Sequence, residues 1–182
     1  MTKNFTPFPE RRTQRLFLRK INASDCEVIL FLRTDAKVTE FIERPEHRKT
    51  KNISDARILI TELDSCIEAN HSITWGIALK QETPIIGTIC LWNFSHHNKT
   101  AEVGYDLDPQ FQHKGFMNEA LKAIVDFGFH DLHLESIEAC THALNEPSIK
   151  LLMKHRFRHN EDRIDSENPS NIVFELENIG SN

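Results

Sequence analysis

The chain has 182 residues, 39% of them hydrophobic and 27% charged, which suits one globular domain with a full core and excludes a disordered chain or a bundle of membrane helices. No apolar run approaches the roughly 20 residues of a membrane span, and the opening MTKNFTPFPERR has no apolar stretch of the secretion-signal kind, so a cytoplasmic location is expected. A formal net charge of -5 disfavours a nucleic-acid backbone as partner and is compatible with a cationic amine; Cys26, Cys66, Cys90 and Cys140 form no Cys-x-x-Cys pair, so they read as reduced packing residues.

Residues 1–12 read as a loose, flexible arm with Phe5 and Phe8 exposed, and residues 13–178 as a single domain. Leu16 and Leu18 alternate with Arg15, Phe17 and Arg19, which predicts a short first strand. Ser24-Asp25-Cys26-Glu27 has the Ser-x-x-Glu form of a capping box and predicts a helix through Val28, Ile29, Phe31 and Leu32. A second helical piece is expected over 37–42, and the basic run 44–52 reads as an exposed loop. Ser54-Asp55 is then expected to cap a helix that buries Ile58, Leu59, Leu63, Cys66 and Ile67. Ile73, Trp75, Ile77 and Leu79 alternate as a strand, Gln81 to Pro84 is a turn, and 85–92 is a mostly apolar strand.

The most informative stretch follows. Ala101, Val103, Tyr105 and Leu107 fall at a period of two, with Glu102, Gly104 and Asp106 on the other face; Asp108-Pro109 breaks the strand. From Met117 the apolar positions become Met117, Ala120, Leu121, Ile124, Val125 and Gly128, a helical stripe. The switch lies inside Gln112-His113-Lys114-Gly115-Phe116, so the first unpaired N–H groups of the helix, at the positive end of its dipole, form a seat for phosphate oxygens. Downstream, 136–141 is a strand and Pro147 suits the start of a helix through Leu151 and Leu152. Residues 157–164 and 172–176 are expected to close as an antiparallel pair. His130 and His133 lack a third ligand at fixed spacing, so no metal is expected.

Gln112-x-x-Gly115 opening a helix after Ala101-Glu102-Val103-Gly104-Tyr105 resembles the acetyl-CoA pyrophosphate loop of the GNAT superfamily of N-acetyltransferases. The similarity is greatest to the Rim-type branch, which acetylates alanine N-termini of ribosomal proteins. Thr13-Gln14-Arg15-Leu16-Phe17-Leu18-Arg19, Asn118-Glu119-Ala120-Leu121 and Asn145-x-x-Ser148-x-x-Leu151-x-x-Lys154-x-x-Phe157 agree in order and spacing. Two positions depart from the pattern: Met117, where glycine or alanine is usual, and Arg156, where glycine is usual.

The resemblance implies an α+β GNAT fold, a mixed and mostly antiparallel central sheet flanked by helices. It implies acetyl-CoA as co-substrate, the pantetheine arm held by backbone groups around Val103, Tyr105, Asp106 and Leu107, and the pyrophosphate on the amides of Gln112, His113, Lys114, Gly115, Phe116 and Met117. Glu102 is the candidate general base, the alternative being an ordinary ion-paired glutamate. Ser148 is the candidate acid for the thiolate and Asn145 a coenzyme contact, the alternative being local helix capping. Tyr105, the only tyrosine, lies upstream of the position where many family members keep a proton-donating tyrosine. The expected activity is direct attack of a primary amine in a ternary complex. The acceptor is a protein N-terminus or a small amine, amino acid or antibiotic, and the rival reading is a binding module that holds acyl-CoA without turnover. By analogy a homodimer is expected, with Phe5 and Phe8 against a neighbour.

Overall fold

Alternating apolar side chains build the sheet in the computed structural model, which describes residues 3–44, 46, 49–80, 84–166 and 168–178. Its strands are β1 (Arg11–Arg12), β2 (Leu16–Lys20), β3 (Ile73–Leu79), β4 (Ile85–Trp92), β5 (Thr100–Leu107), β6 (Ser136–His142), β7 (Arg158–His159) and β8 (Asn171–Glu177). They lie in the order β1-β2-β3-β4-β5-β6-β8-β7. Neighbours pair antiparallel except β5 and β6, which are parallel because the helix α4 (Phe116–His130) carries the chain across between them. The fold is thus the mixed, mostly antiparallel α+β sheet that the sequence implies.

Helices cover both faces. On one, Val103 and Leu107 of β5 join Trp75, Ile89 and Leu91, covered by Met117, Leu121 and Ile124 of α4 and by Leu152 of α5 (Glu146–Lys154). On the other, Ala78 and Ile85 pack with Cys26 and Ile29 of α1 (Cys26–Thr34) and Ala56 and Ile60 of α3 (Ile53–Glu68). The short α2 (Ala36–Thr39) leads from α1 into the segment that crosses this second face.

Several expectations are corrected. Phe5 is 0% exposed: its N–H donates to Asn70 Oδ1 at 2.7 Å and its ring meets Phe94, while Phe8 packs on Trp75. The Phe5 ring is not available to a neighbour and the Phe8 ring is half-buried, because the apolar side chains that precede β1 have core to fill. The capping box before α1 is Asn22 with Asp25, not Ser24 with Glu27. Asp25 also receives two bonds from Arg19 at 2.8 Å, which holds the box one turn earlier. Asn52 rather than Ser54 caps α3, accepting from the Asp55 N–H at 3.0 Å, since the buried stripe already starts at Ile53. The pair expected over 157–164 shrinks to Arg158–His159, because the Asn160 side chain accepts from the Asp162 N–H and turns the chain away. Arg44, expected in an exposed loop, is half-buried with a side chain only 15% exposed, drawn in by Asp106. Within the expected turn 81–84, residues 81–83 lie outside the described residues, as do Pro45, His47 and Arg48 of the basic run.

Candidate active site

The β5–β6 ladder is short. It runs only through Thr100↔Ser136, Ala101↔Ile137 and Glu102↔Glu138. β5 continues to Leu107 and β6 to His142 without that pairing, so the sheet forks just after Glu102. The backbone edge of Val103 to Leu107 that faces β6 is therefore left open to accept an added extended chain, in the manner of a missing strand.

Glu102 stands at the root of this fork. Burial pushes its carboxyl up to about 7, Asp165 and Glu138 adding repulsion, while hydrogen bonds with Asn93 and the Cys140 thiol act against the rise. Asn93 Nδ2 is 3.5 Å from Glu102 Oε2, and Glu138 is itself held by Arg163 at 2.9 Å. Glu102 is thus not locked in an ion pair of its own and can take up a proton near neutral pH. The Cys140 thiol is pushed up to about 12, chiefly by burial and then by Glu102, so it is no nucleophile here.

At the far end of β5 the chain turns through Pro109–Phe111 and then His113 and Gly115, with φ of 59° and 79°. Gly115 is the N-cap of α4, and the first intrahelical bond is Glu119 N–H to the Gly115 carbonyl at 3.1 Å. The N–H groups of Phe116, Met117 and Asn118 have no intrahelical partner. This turn is braced by Arg15. Its Nη1 donates to the Lys114 carbonyl at 2.9 Å, its Nε donates to Glu119 Oε2 at 2.7 Å, and its guanidinium lies over the Phe116 ring. Glu119 also accepts from the Arg15 N–H and from Thr13 Oγ1. Burial alone would raise the Glu119 carboxyl, yet these bonds hold it below the ordinary value.

On the α4–α5 face, Tyr105 Oη and Ser148 Oγ are 2.9 Å apart, and burial pushes the tyrosine up to about 12. Asn145 Oδ1 caps α5 by accepting from the Ser148 N–H at 3.2 Å. On the opposite face, Asp106 Oδ1 accepts from Thr88 Oγ1 at 2.7 Å and its Oδ2 is 3.8 Å from Arg44 Nη2. The Phe41 ring lies 5.4 Å from the His142 ring. The segment 41–44 therefore reaches both prongs of the fork from that face. Two surface hollows, one lined by Arg19, Lys20 and Arg57 and one by Ile58, Thr61 and Cys66, share no residue with the fork.

Residues 15–158 match the family described as the acetyltransferase (GNAT) domain. The chain is 34% identical over 140 residues to the uncharacterised N-acetyltransferase p20 of Bacillus licheniformis, covering 77% of each. To YoaA of Bacillus subtilis, also an uncharacterised N-acetyltransferase, it is 31% identical over 153 residues, covering 83% of this chain and 84% of that one. The chain belongs to the GNAT acetyltransferase family.

In fold, this GNAT domain superposes on the ribosomal-protein-S5-alanine acetyltransferase from Vibrio fischeri with a TM-score of 0.78 at 22% identity, over 94% of this chain and 98% of that one. GNAT enzymes use acetyl-CoA, and two features of this chain fit that group. The fork offers an open backbone edge, and the α4 N-terminus offers N–H groups with no intrahelical partner. Met117 does not block the seat: its side chain is 8% exposed and sits in the core beneath the turn.

The structure thus brings Glu102 and the 103–107 edge to one junction, and places 112–117 at the end of the same strand. It also adds contacts that the sequence did not offer. Tyr105 meets Ser148, 43 residues on, a pairing signalled only by Tyr105 sharing the buried face of its strand. Arg15 was visible only as part of a motif, with no sign that it holds the turn. Among the described residues no group of three or more metal-ligating side chains comes together.

Proposed function

We propose that this GNAT chain transfers acetyl from acetyl-CoA to a primary amine in a ternary complex, with a protein N-terminus such as an N-terminal alanine as the acceptor class. The observation that carries the reading is the fork after Glu102, which puts a carboxyl with a pKa near 7 beside an open backbone edge leading to a helix N-terminus. Acceptors of this kind are named for the structural relative from Vibrio fischeri, which acts on the alanine of ribosomal protein S5.

Backbone groups of 103–107 hold the extended arm of the coenzyme, and the N–H groups of Phe116, Met117 and Asn118 hold its pyrophosphate, with Lys114 adding charge. When bound, acetyl-CoA supplies the thioester carbonyl and departs as a thiol. Glu102, ionised at and above neutral pH, accepts the proton of the acceptor ammonium or of the attacking amine, directly or through water. The Tyr105–Ser148 pair stands on the other side of β5 and stays protonated across the working range, so Ser148 can deliver a proton to the leaving sulfur and be resupplied by Tyr105. Most of the rate gain comes from holding donor and amine together at the fork.

Calorimetric titration with acetyl-CoA, CoA and adenosine tests the reading, followed by thiol release with a peptide beginning in alanine. Micromolar binding that needs the pyrophosphate, together with thiol release that depends on the peptide, is the expected result. Binding without thiol release from any amine would instead mark a module that holds acyl-CoA without turnover.

A further inference from the structure

The second face of β5 carries a feature that acetyl transfer itself does not require. Along it, Glu102, Gly104 and Asp106 follow one another at a period of two, opposite Trp92, Cys90 and Thr88 of β4. Gly104 has no side chain, and a Cβ there would come within 3.2 Å of Cys90 Sγ and 3.7 Å of Trp92 Nε1. Cys90 and Trp92 thus flank Gly104 closely, between an acidic end at Glu102 and the end at Asp106, about 13 Å apart for four residues of strand. Arg44 closes the Asp106 end.

Arg44 lies there beside Asp106, and Arg33 of α1 faces the same side of the sheet. Arg33 is in the last turn of α1, on the same stripe as the buried Cys26 and Ile29, so it points toward the sheet, and it is half-buried. Its charge is felt at both Arg44 and Cys90. Arg33 has no hydrogen bond or ion pair among the described residues. Arg44 has only Asp106, at 3.8 Å, and one oxygen of that carboxylate is already occupied by the Thr88 hydroxyl and N–H. Burial and the neighbouring Arg33 pull Arg44 down to about 10, the mark of a cation short of countercharge. A partly buried surplus cation is costly unless an anion comes to it.

We infer that Arg33 and Arg44 select the acceptor, favouring an amine that carries a carboxylate about 6–10 Å away, as in an N-terminal peptide segment with an acidic group at its second or third residue. The inference rests on the acetyl-transfer reading and adds the charge of the substrate to it. The amine sits at Glu102, the backbone of the acceptor lies over Gly104, and the carboxylate pairs with Arg33, which has no ion pair among the described residues. Arg44 keeps Asp106 and adds to the field.

The test uses the full chain and matched acceptors: Ala-Ala-Ala as free acid against its amide, and Ala-Asp-Ala amide against Ala-Asn-Ala amide. Thiol release is followed in the wild type, Arg33→Gln and Arg33→Lys. Arg33 makes no hydrogen bond or ion pair among the described residues, and thermal melts check that each variant is folded before it is assayed. In the wild type kcat/KM is expected to favour the charged member of at least one pair by about tenfold or more. Arg33→Gln should erase the preference by raising KM for the charged member, and Arg33→Lys should restore part of it. Equal turnover of charged and uncharged members overturns the inference and leaves acetyl transfer standing. So does a preference that survives Arg33→Gln. Intact acetyl-CoA binding in calorimetry with no peptide turned over also overturns it, since it requires the acidic peptide to be accepted; loss of acetyl-CoA binding as well overturns both readings.

Discussion

Glu102 sets the pH behaviour of the molecule. Its carboxyl is raised from an ordinary 4.5 to about 7, so between those values the folded chain binds more protons than the unfolded one, and stability falls as pH rises through that window. Glu102→Gln removes the titration. Thermal melts should show the variant gaining on the wild type between pH 5 and pH 8, and an equal difference at both would mean that the carboxyl is not held up by burial. In kinetics, wild-type kcat/KM should climb through pH 7 as the base ionises, while the Gln variant loses that limb and about a hundredfold or more in rate. Arg156 offers a separate test. It adopts φ 67° at the end of α5, where Phe157 N–H bonds back to Leu152 and Arg156 N–H to Met153, a helix stop that favours glycine. Arg156→Gly should raise stability by about 0.5–1 kcal/mol in urea denaturation, with activity unchanged.

At the scale of elements, the strand–turn–helix unit was legible because a change of period from two to 3.6 is written in the apolar residues themselves. Elements β3 and β4 were legible for the same reason, and their bounds agree with the sequence reading. What was not legible depends on partners far along the chain. The Arg15 brace joins residues about a hundred positions apart, and neither Arg15 nor Glu119 has a local pattern that announces the other. Caps were misplaced by two residues because Asn22 and Ser24, or Asn52 and Ser54, suit the same role equally well, and the choice is made by what Asp25 and Ile53 do in the fold. The brace predicts a division of labour. Arg15→Gln should raise KM for acetyl-CoA several-fold while kcat changes little, because it loosens the turn proposed to seat the pyrophosphate and leaves the fork intact. A fall in kcat at unchanged KM would place Arg15 in the chemistry instead.

For the whole molecule, Phe5 of the segment before β1 proves to be part of the core. Phe5 fills a position between Phe94 and the sheet, and Phe5→Ala should cost about 3–5 kcal/mol by chemical denaturation, far more than the loss of a surface ring. The sheet itself is two blocks, β1 to β5 and β6 to β8, joined edge to edge by three residue pairs and across one face by α4. In the proposed function a coenzyme arm lying in the fork would extend that seam along the rest of β5, so the donor would act as a stitch between the halves. Its binding energy then appears as resistance of the 103–107 amides to hydrogen exchange and as a higher melting temperature. A cell short of acetyl-CoA would hold this enzyme in a looser and more readily degraded form, which ties the lifetime of the protein to the supply of its own substrate.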